Sequence, residues 1–234
     1  MVVGKSVKIT LAEAAKKAYG QPPSPWQAEA IISAAEQHHQ REMLFDHPRG
    51  SGKTREIAMM TYIAMRFNKV RLAFLITDRN DLEESLAAEV SSFLEKMGCE
   101  CVERCASSKD VDEAIERLET NPAEQIVLSL TLQTFPHIKR QLSPELCQAS
   151  MVLADEVHRS HADKSLTEEL NRVLGGAVPL RLLHRHGHKQ MPSFIWQPHT
   201  AGWNRCAPPF PQCYSGFQDI VITVLECNEH ITIV

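Results

Sequence analysis

Residues 47–54 read HPRGSGKT, and the reading of this stretch decides the rest. In the GSGKT segment, Gly50 and Gly52 let backbone N–H groups approach phosphate oxygens, and Ser51 lies between them. A helix beginning here would present its positive N-terminal end to the same oxygens. Lys53 can then reach the β- and γ-phosphates, and the Thr54 hydroxyl can ligate Mg²⁺. The full form of such a loop begins with glycine where this chain has His47, so the pentapeptide alone is compatible with a chance glycine turn. Its flanks weigh against chance. EMLFDH (42–47) is a short apolar strand, and REIAMMTYIAMRF (55–67) repeats apolar residues at helical spacing.

The strand-loop-helix unit recurs along the chain. Upstream, SPWQAEAIISAAEQ (24–37) opens with a serine cap, proline at the first helical position and Gln27 three residues on, and predicts a helix to about His38. Downstream, VRLAFLIT (70–77), QIVLSLT (125–131) and SMVLADE (150–156) are continuous apolar strands. Helical patterns at 80–98, 109–120 and 163–176 separate or follow them, with a helical or turn segment at LQTFPHIKRQL (132–142). Buried-type strands alternating with amphipathic helices predict an α/β domain, a single parallel sheet with helices on both faces.

A second acidic signal lies at MVLADEVH (151–158). An apolar strand ending in Asp155 and Glu156 places one carboxylate for Mg²⁺, usually through water, and a second to orient or deprotonate an attacking water. Alone it could be an ordinary acidic strand end. About a hundred residues after GSGKT it completes a nucleotide site.

The totals set wide bounds. The 234 residues carry a net charge of -4, so any nucleic-acid contact must use a local surface and not a global basic field. No apolar run is long enough for a membrane span and the N-terminus lacks a signal-peptide core, which makes the cytoplasm the expected location. Seven cysteines suggest reduced thiols, and CECVERC (99–105) lacks zinc-pair spacing. Composition shifts near residue 180: residues 181–234 hold seven charged side chains, about 13 per cent of positions against about 26 per cent before, with Trp196, Trp203 and five of thirteen prolines. These shifts predict a helical lead-in at 1–21, a domain at 22–180 and an irregular, poorly ordered tail at 181–234.

GSGKT, LITDRNDL (75–82), SLTLQTF (129–135) and DEVHRSH (155–161) together resemble the ordered motifs of superfamily 2 helicases and translocases, whose ATP-binding domain is RecA-like. DRNDL and HRS are most similar to the motor subunit of type I restriction enzymes. The resemblance implies ATP and Mg²⁺ as cofactors and double-stranded DNA as partner, with modification and specificity subunits in a restriction complex. It further implies that Gln27 meets the adenine edge, that Arg79, Thr131 and Gln133 lie along the nucleic-acid track, and that His158 couples nucleotide state to the motor's third motif. As plain local structure, Gln27 would be a surface helix residue, Arg79, Thr131 and Gln133 caps or turn residues, and His158 a surface histidine. Val157 stands where the family usually has alanine.

In such motors a second RecA-like domain supplies an arginine finger; the expectation from the resemblance is that residues 181–234 do not form one and that the stretch before Gln27 does not form the family's nuclease domain. The third motif, resembling FTGT-[AP]-[TP], is due where the chain has RLLHRHGHK (181–189), with His184, His186 and His188 alternating. One base out of register, HRHGH can be read as Thr-Gly-Thr-Ala-Thr, and RLL as Ala-Phe-Phe. The expectation is that residues from about 181 are an out-of-frame translation of a truncated motor gene. Three functional readings follow: an ATP-driven motor domain, a nucleotide-binding module without useful turnover, and a metal-binding tail using these histidines with Cys206 and Cys213.

Overall fold

The computed structural model describes residues 2–38, 42–47, 50–155, 169, 172–174, 180–185, 204–205, 223–227 and 230–233. Helix α1 (Val2–Tyr19) leads into α2 (Pro25–Glu36). Strand β1 (Glu42–His47), helix α3 (Lys53–Phe67) and strand β2 (Leu72–Thr77) follow, then α4 (Asn80–Lys96) and β3 (Val102–Arg104). The chain continues through α5 (Ser108–Thr120), β4 (Ile126–Thr131), a 3-10 helix at Leu132–His137, α6 (Pro144–Gln148) and β5 (Ser150–Asp155).

Local chemistry starts these helices where the sequence predicts. Ser24 caps α2 by accepting from the Gln27 backbone N–H, while the Gln27 side chain accepts from the Ser24 N–H at 3.1 Å. This reciprocal box satisfies two otherwise orphan donors. Ser107 and Asp110 form the same box at the start of α5. At the other end of α5, the Arg71 guanidinium donates to the Leu118 carbonyl at 2.5 Å and the Asn121 carbonyl at 2.6 Å, so a β2-flanking cation closes the helix whose C-terminal dipole favours it.

The sheet order is β3-β4-β2-β5-β6-β1-β9-β8-β7, in which β6 (Leu180–Arg185) lies between β5 and β1. From β3 to β9 (His230–Ile233) every pairing is parallel, and β9 turns back antiparallel through β8 (Thr223–Cys227) to β7 (Asn204–Arg205). The chain moves outward from β1 through β2 to the β3 edge and then returns through β4 and β5. Right-handed crossovers put helices of the outward path on one face and those of the return path on the other.

The burial pattern records those two faces. In β2, Ala73 and Leu75 join a core with Met43, Phe45, Ile57, Phe93 and the α1 residues Val7 and Leu11. Leu72, Phe74 and Ile76 point the other way, into a core with Ile115, Leu118, Phe135 and Leu146. All six residues of β2 are buried, which is why the strand reads as continuously apolar. Burying each large side chain contributes about 1.5–3 kcal/mol, so a strand buried on both faces anchors the sheet.

The expected fold class, an α/β parallel sheet with helices on both faces, is therefore present. β3 and α6 were not anticipated by periodicity: β3 is three residues long and incompletely buried, and α6 spans five. β6 crosses the compositional boundary at 180, and the other described residues of the tail lie in short strands. Most of the helix expected at 163–176 lies outside the described residues; within it, residues 169 and 172–174 are described and helical.

Candidate functional site

The loop after β1 is built on two left-handed glycines. Gly50 has φ 76° and Gly52 has φ 81°, a region that side-chain-bearing residues rarely adopt. Gly52 also has a steric reason: a Cβ there would meet the Gln27 Nε2 atom at 3.2 Å. It caps α3 with no side-chain hydrogen bond, and the first-turn backbone donors it precedes have no capping side chain competing for them. Such an end suits an anion. Ser51 Oγ is buried with no hydrogen-bond partner among the described residues, a polar atom inside the loop that a phosphate oxygen would satisfy. The loop thus fits a nucleoside triphosphate. Lys53 and Thr54 are half-buried in the first turn of α3.

Gln27 is not a free surface residue. Only 9 % exposed, it donates from Nε2 to the carbonyls of Ser51 at 3.3 Å and Gly52 at 3.4 Å, while Oε1 accepts from the Ser24 N–H and hydroxyl. Both ends of its amide are engaged, tying the start of α2 to the phosphate loop. The sequence shows the cap; the contact with the loop comes from the packing of α2 against α3.

Asp155 ends β5 at the same C-terminal sheet edge from which the β1 loop emerges. One strand, β6, separates them, so the two backbones lie about 10 Å apart. In open α/β sheets ligands bind in the crevice at these strand ends. Glu156 and His158 lie outside the described residues. His184 stands opposite Asp46 in the β1–β6 register, and Leu183 opposite Asp155 in the β5–β6 register. β6 itself therefore lies between β1, which precedes the phosphate loop, and β5, which ends in Asp155. His186, His188, Cys206 and Cys213 are outside the described residues, among which no group of three metal-ligating side chains occurs.

The remaining candidates come together at the ends of β2 and β4, which pair in register from Leu72 with Ile126 to Thr77 with Thr131. Gln133 Nε2 crosses between the two loops and donates to the Asp78 carbonyl at 3.2 Å. Thr131 and Thr134 place their hydroxyl oxygens 3.4 Å apart. Arg79 and Thr131 occupy the cap positions of α4 and the 3-10 helix, yet neither side chain makes a capping hydrogen bond. Arg79 instead grips Asp81 with both guanidinium branches, Nε to Oδ1 at 3.0 Å and an Nη to Oδ2 at 2.7 Å. Asp81 is a residue the motif contains and the sequence reading passes over.

Around α3, a cluster links the loop to the N-terminal helix. The Arg55 guanidinium sits 4.8 Å from the Tyr19 ring centre, and Tyr19 lies 5.4 Å from Phe93. Burial pushes the Tyr19 phenol well above its ordinary range, so it stays protonated. At the far edge of the sheet, burial likewise raises the Cys101 thiol to about 11 and that of Cys105 to about 12. Neither is a reactive thiolate near neutral pH.

A parallel sheet with a glycine loop after β1 and an acidic residue ending β5, with β6 between the two strands, is the arrangement of a P-loop nucleotide-binding domain. The family described as "Type III restriction enzyme, res subunit" matches residues 21–181, and the chain belongs to that family. Among solved structures it is similar to the yeast DEAD-box splicing factor Prp28, with 15% identity and a TM-score of 0.56, covering 81% of this chain and 45% of that one. It is also similar to the UvsW helicase from bacteriophage T4, with 17% identity and a TM-score of 0.45, covering 70% of this chain and 52% of that one. The Prp28 likeness shows the shared fold; the chain spans about half the length of these two proteins. No curated protein matches it. Among the described residues no helix is long and apolar enough to cross a membrane.

Proposed function

We propose that the chain is the ATP-binding motor domain of a DNA translocase subunit in a restriction system, of the type I kind that DRNDL and HRS resemble. The carrying observation is the convergence of the glycine loop, Asp155 and the strapped β2 and β4 loops at the C-terminal edge of one parallel sheet. In this reading Gly50, Ser51, Gly52, Lys53 and Thr54 hold the triphosphate, and Thr54 and Asp155 position Mg²⁺. Gln27 faces the adenine, and Glu156 orients or deprotonates the attacking water. When bound, Mg²⁺ neutralises charge on the phosphates; the chain's own residues fix their orientation. Arg79, Thr131 and Gln133 meet duplex phosphates, His158 relays nucleotide state, and modification and specificity subunits complete the assembly.

Phosphate release with and without duplex DNA tests this. DNA-stimulated hydrolysis that Lys53→Ala and Glu156→Gln each abolish is the expected result; hydrolysis indifferent to both would overturn it.

A nucleotide-binding module without useful turnover is the second reading. It is favoured by the sequence HRHGH, which stands where the family's third motif, the one that couples hydrolysis to movement, is due. ATP that binds in a titration but is not cleaved, with or without DNA, selects this alternative. An out-of-frame origin of residues from about 181 accounts for the same histidines, and the encoding DNA tests it: the shifted frame should continue as a long helicase-like sequence. A zinc-binding tail would instead be revealed by stoichiometric zinc in the purified protein.

A further inference from the structure

The loop between β2 and α4 has a pinned backbone and a single exposed cation. The Arg79 carbonyl accepts from the Thr77 hydroxyl at 3.1 Å and from the Glu83 N–H at 2.9 Å, and Gln133 holds the Asp78 carbonyl just before it. The Arg79 side chain, in contrast, is 54% exposed and bonded to Asp81, itself 62% exposed. An exposed arginine on a pinned backbone can swing to a phosphate without moving the loop. Here, however, its two-pronged face is already occupied. Fork-to-carboxylate pairing uses the same donors that a phosphate would use. The Arg79 hydrogen bond holds the Asp81 carboxyl below its usual range, so the carboxylate stays charged at neutral pH. A phosphate approaching Arg79 therefore competes with Asp81 and is repelled by it.

Resting on the reading of Arg79 as a duplex contact, we propose that Asp81 is a positioning residue that keeps Arg79 folded back, and that a DNA phosphate engages this loop by displacing the Asp81 carboxylate. The pair is solvent-exposed, and exposed ion pairs are weak. The latch therefore opens readily: it sets affinity and is no barrier to binding. It discriminates against isolated phosphates, which cannot offset the lost pair with neighbouring contacts, and favours a continuous backbone that also reaches the Thr131 and Gln133 loop.

The test is a fluorescence-anisotropy titration of the full chain with a short random-sequence DNA duplex over a range of salt concentrations. Asp81→Asn should tighten binding about two- to fivefold at low salt, the span that exposed ion pairs cover. The gain should shrink as salt rises. Arg79→Ala should weaken binding and reduce the salt dependence by about one ion. In the Arg79→Ala background, Asp81→Asn should lose most of its tightening, a non-additivity that a purely structural role for Asp81 would not produce. If Arg79→Ala weakens binding but Asp81→Asn does not tighten it at any salt, the latch is refuted and Arg79 remains a contact. If Arg79→Ala changes nothing, the reading of Arg79 itself fails. Thermal melting is run alongside, and Asp81→Ser, which keeps a helix-start acceptor, replaces Asp81→Asn if that variant is unstable.

Discussion

The loops after β1 and β2 begin alike, as buried parallel strands running into helices, but expose different parts of the chain. After β1 the backbone is what the loop offers: two glycines are left-handed and no side chain caps α3. After β2 the backbone is tied down by Thr77, Glu83 and Gln133, and the exposed group is the Arg79 side chain, held by Asp81. A loop that must surround a compact phosphate chain needs bare amides; one that meets a long polymer at its surface can rely on a reaching side chain. The same strand-to-helix connection thus presents backbone at one strand end and a side chain at another, with β5 and β6 between them.

The largest effect that would test this division is Lys53→Ala, which should lower ATP turnover on the order of 100-fold by removing the cation at the transferring phosphate, with duplex affinity in the absence of nucleotide unchanged. Turnover and anisotropy on one preparation check both halves. Next comes Gly52→Ala. A left-handed alanine costs about 1–2 kcal/mol and its Cβ presses on Gln27, so ATP affinity measured by calorimetry should fall about tenfold. Normal affinity in that variant would mean that the loop is not held as described. Gln133→Ala, which cuts the strap to Asp78, should weaken duplex binding about two- to fivefold and leave ATP affinity alone; an equal loss of both would erase the distinction between the loops.

The smallest expected effect is at the far edge, outside both loops. Because the folded-state thiols of Cys101 and Cys105 are raised to about 11 and about 12, unfolded thiols ionise first as pH climbs. Their contribution to stability is intact below about pH 8.5, the free-thiol value, and is lost as pH rises toward the folded values. Iodoacetamide labelling at pH 8 should be slow at both sites in the folded chain and fast after denaturation, and chemical melts should show this contribution declining from about pH 8.5 upward. Rapid labelling of the folded protein at either site would contradict their partial burial and raised thiols.

Much of the domain is legible in particular residues. Leu72 to Thr77, Ile126 to Leu130 and Ser150 to Ala154 are buried, so their apolar runs carry the parallel sheet directly. Ser24 with Gln27 announces the start of α2, and GSGKT announces the phosphate loop. β3 is less legible because an edge strand of three residues, Val102–Arg104, has one neighbour and no continuous apolar requirement. The pairing of Arg79 with Asp81 and the turning of Gln27 into the loop are invisible for another reason: long polar side chains have several local partners, and only packing selects among them.

What the sequence by itself determined is the alternation of buried strands and helices, the glycine loop and the acidic end of β5, because hydrophobic periodicity and glycine's backbone freedom act over a few residues. What only the tertiary structure decided is which strand ends adjoin: β6 between β1 and β5, Thr77 beside Thr131, and Gln27 against Ser51 and Gly52. Those contacts join residues distant along the chain, and they exist because burying both faces of one sheet fixes the strand order and, with it, the side chains that meet at its edge.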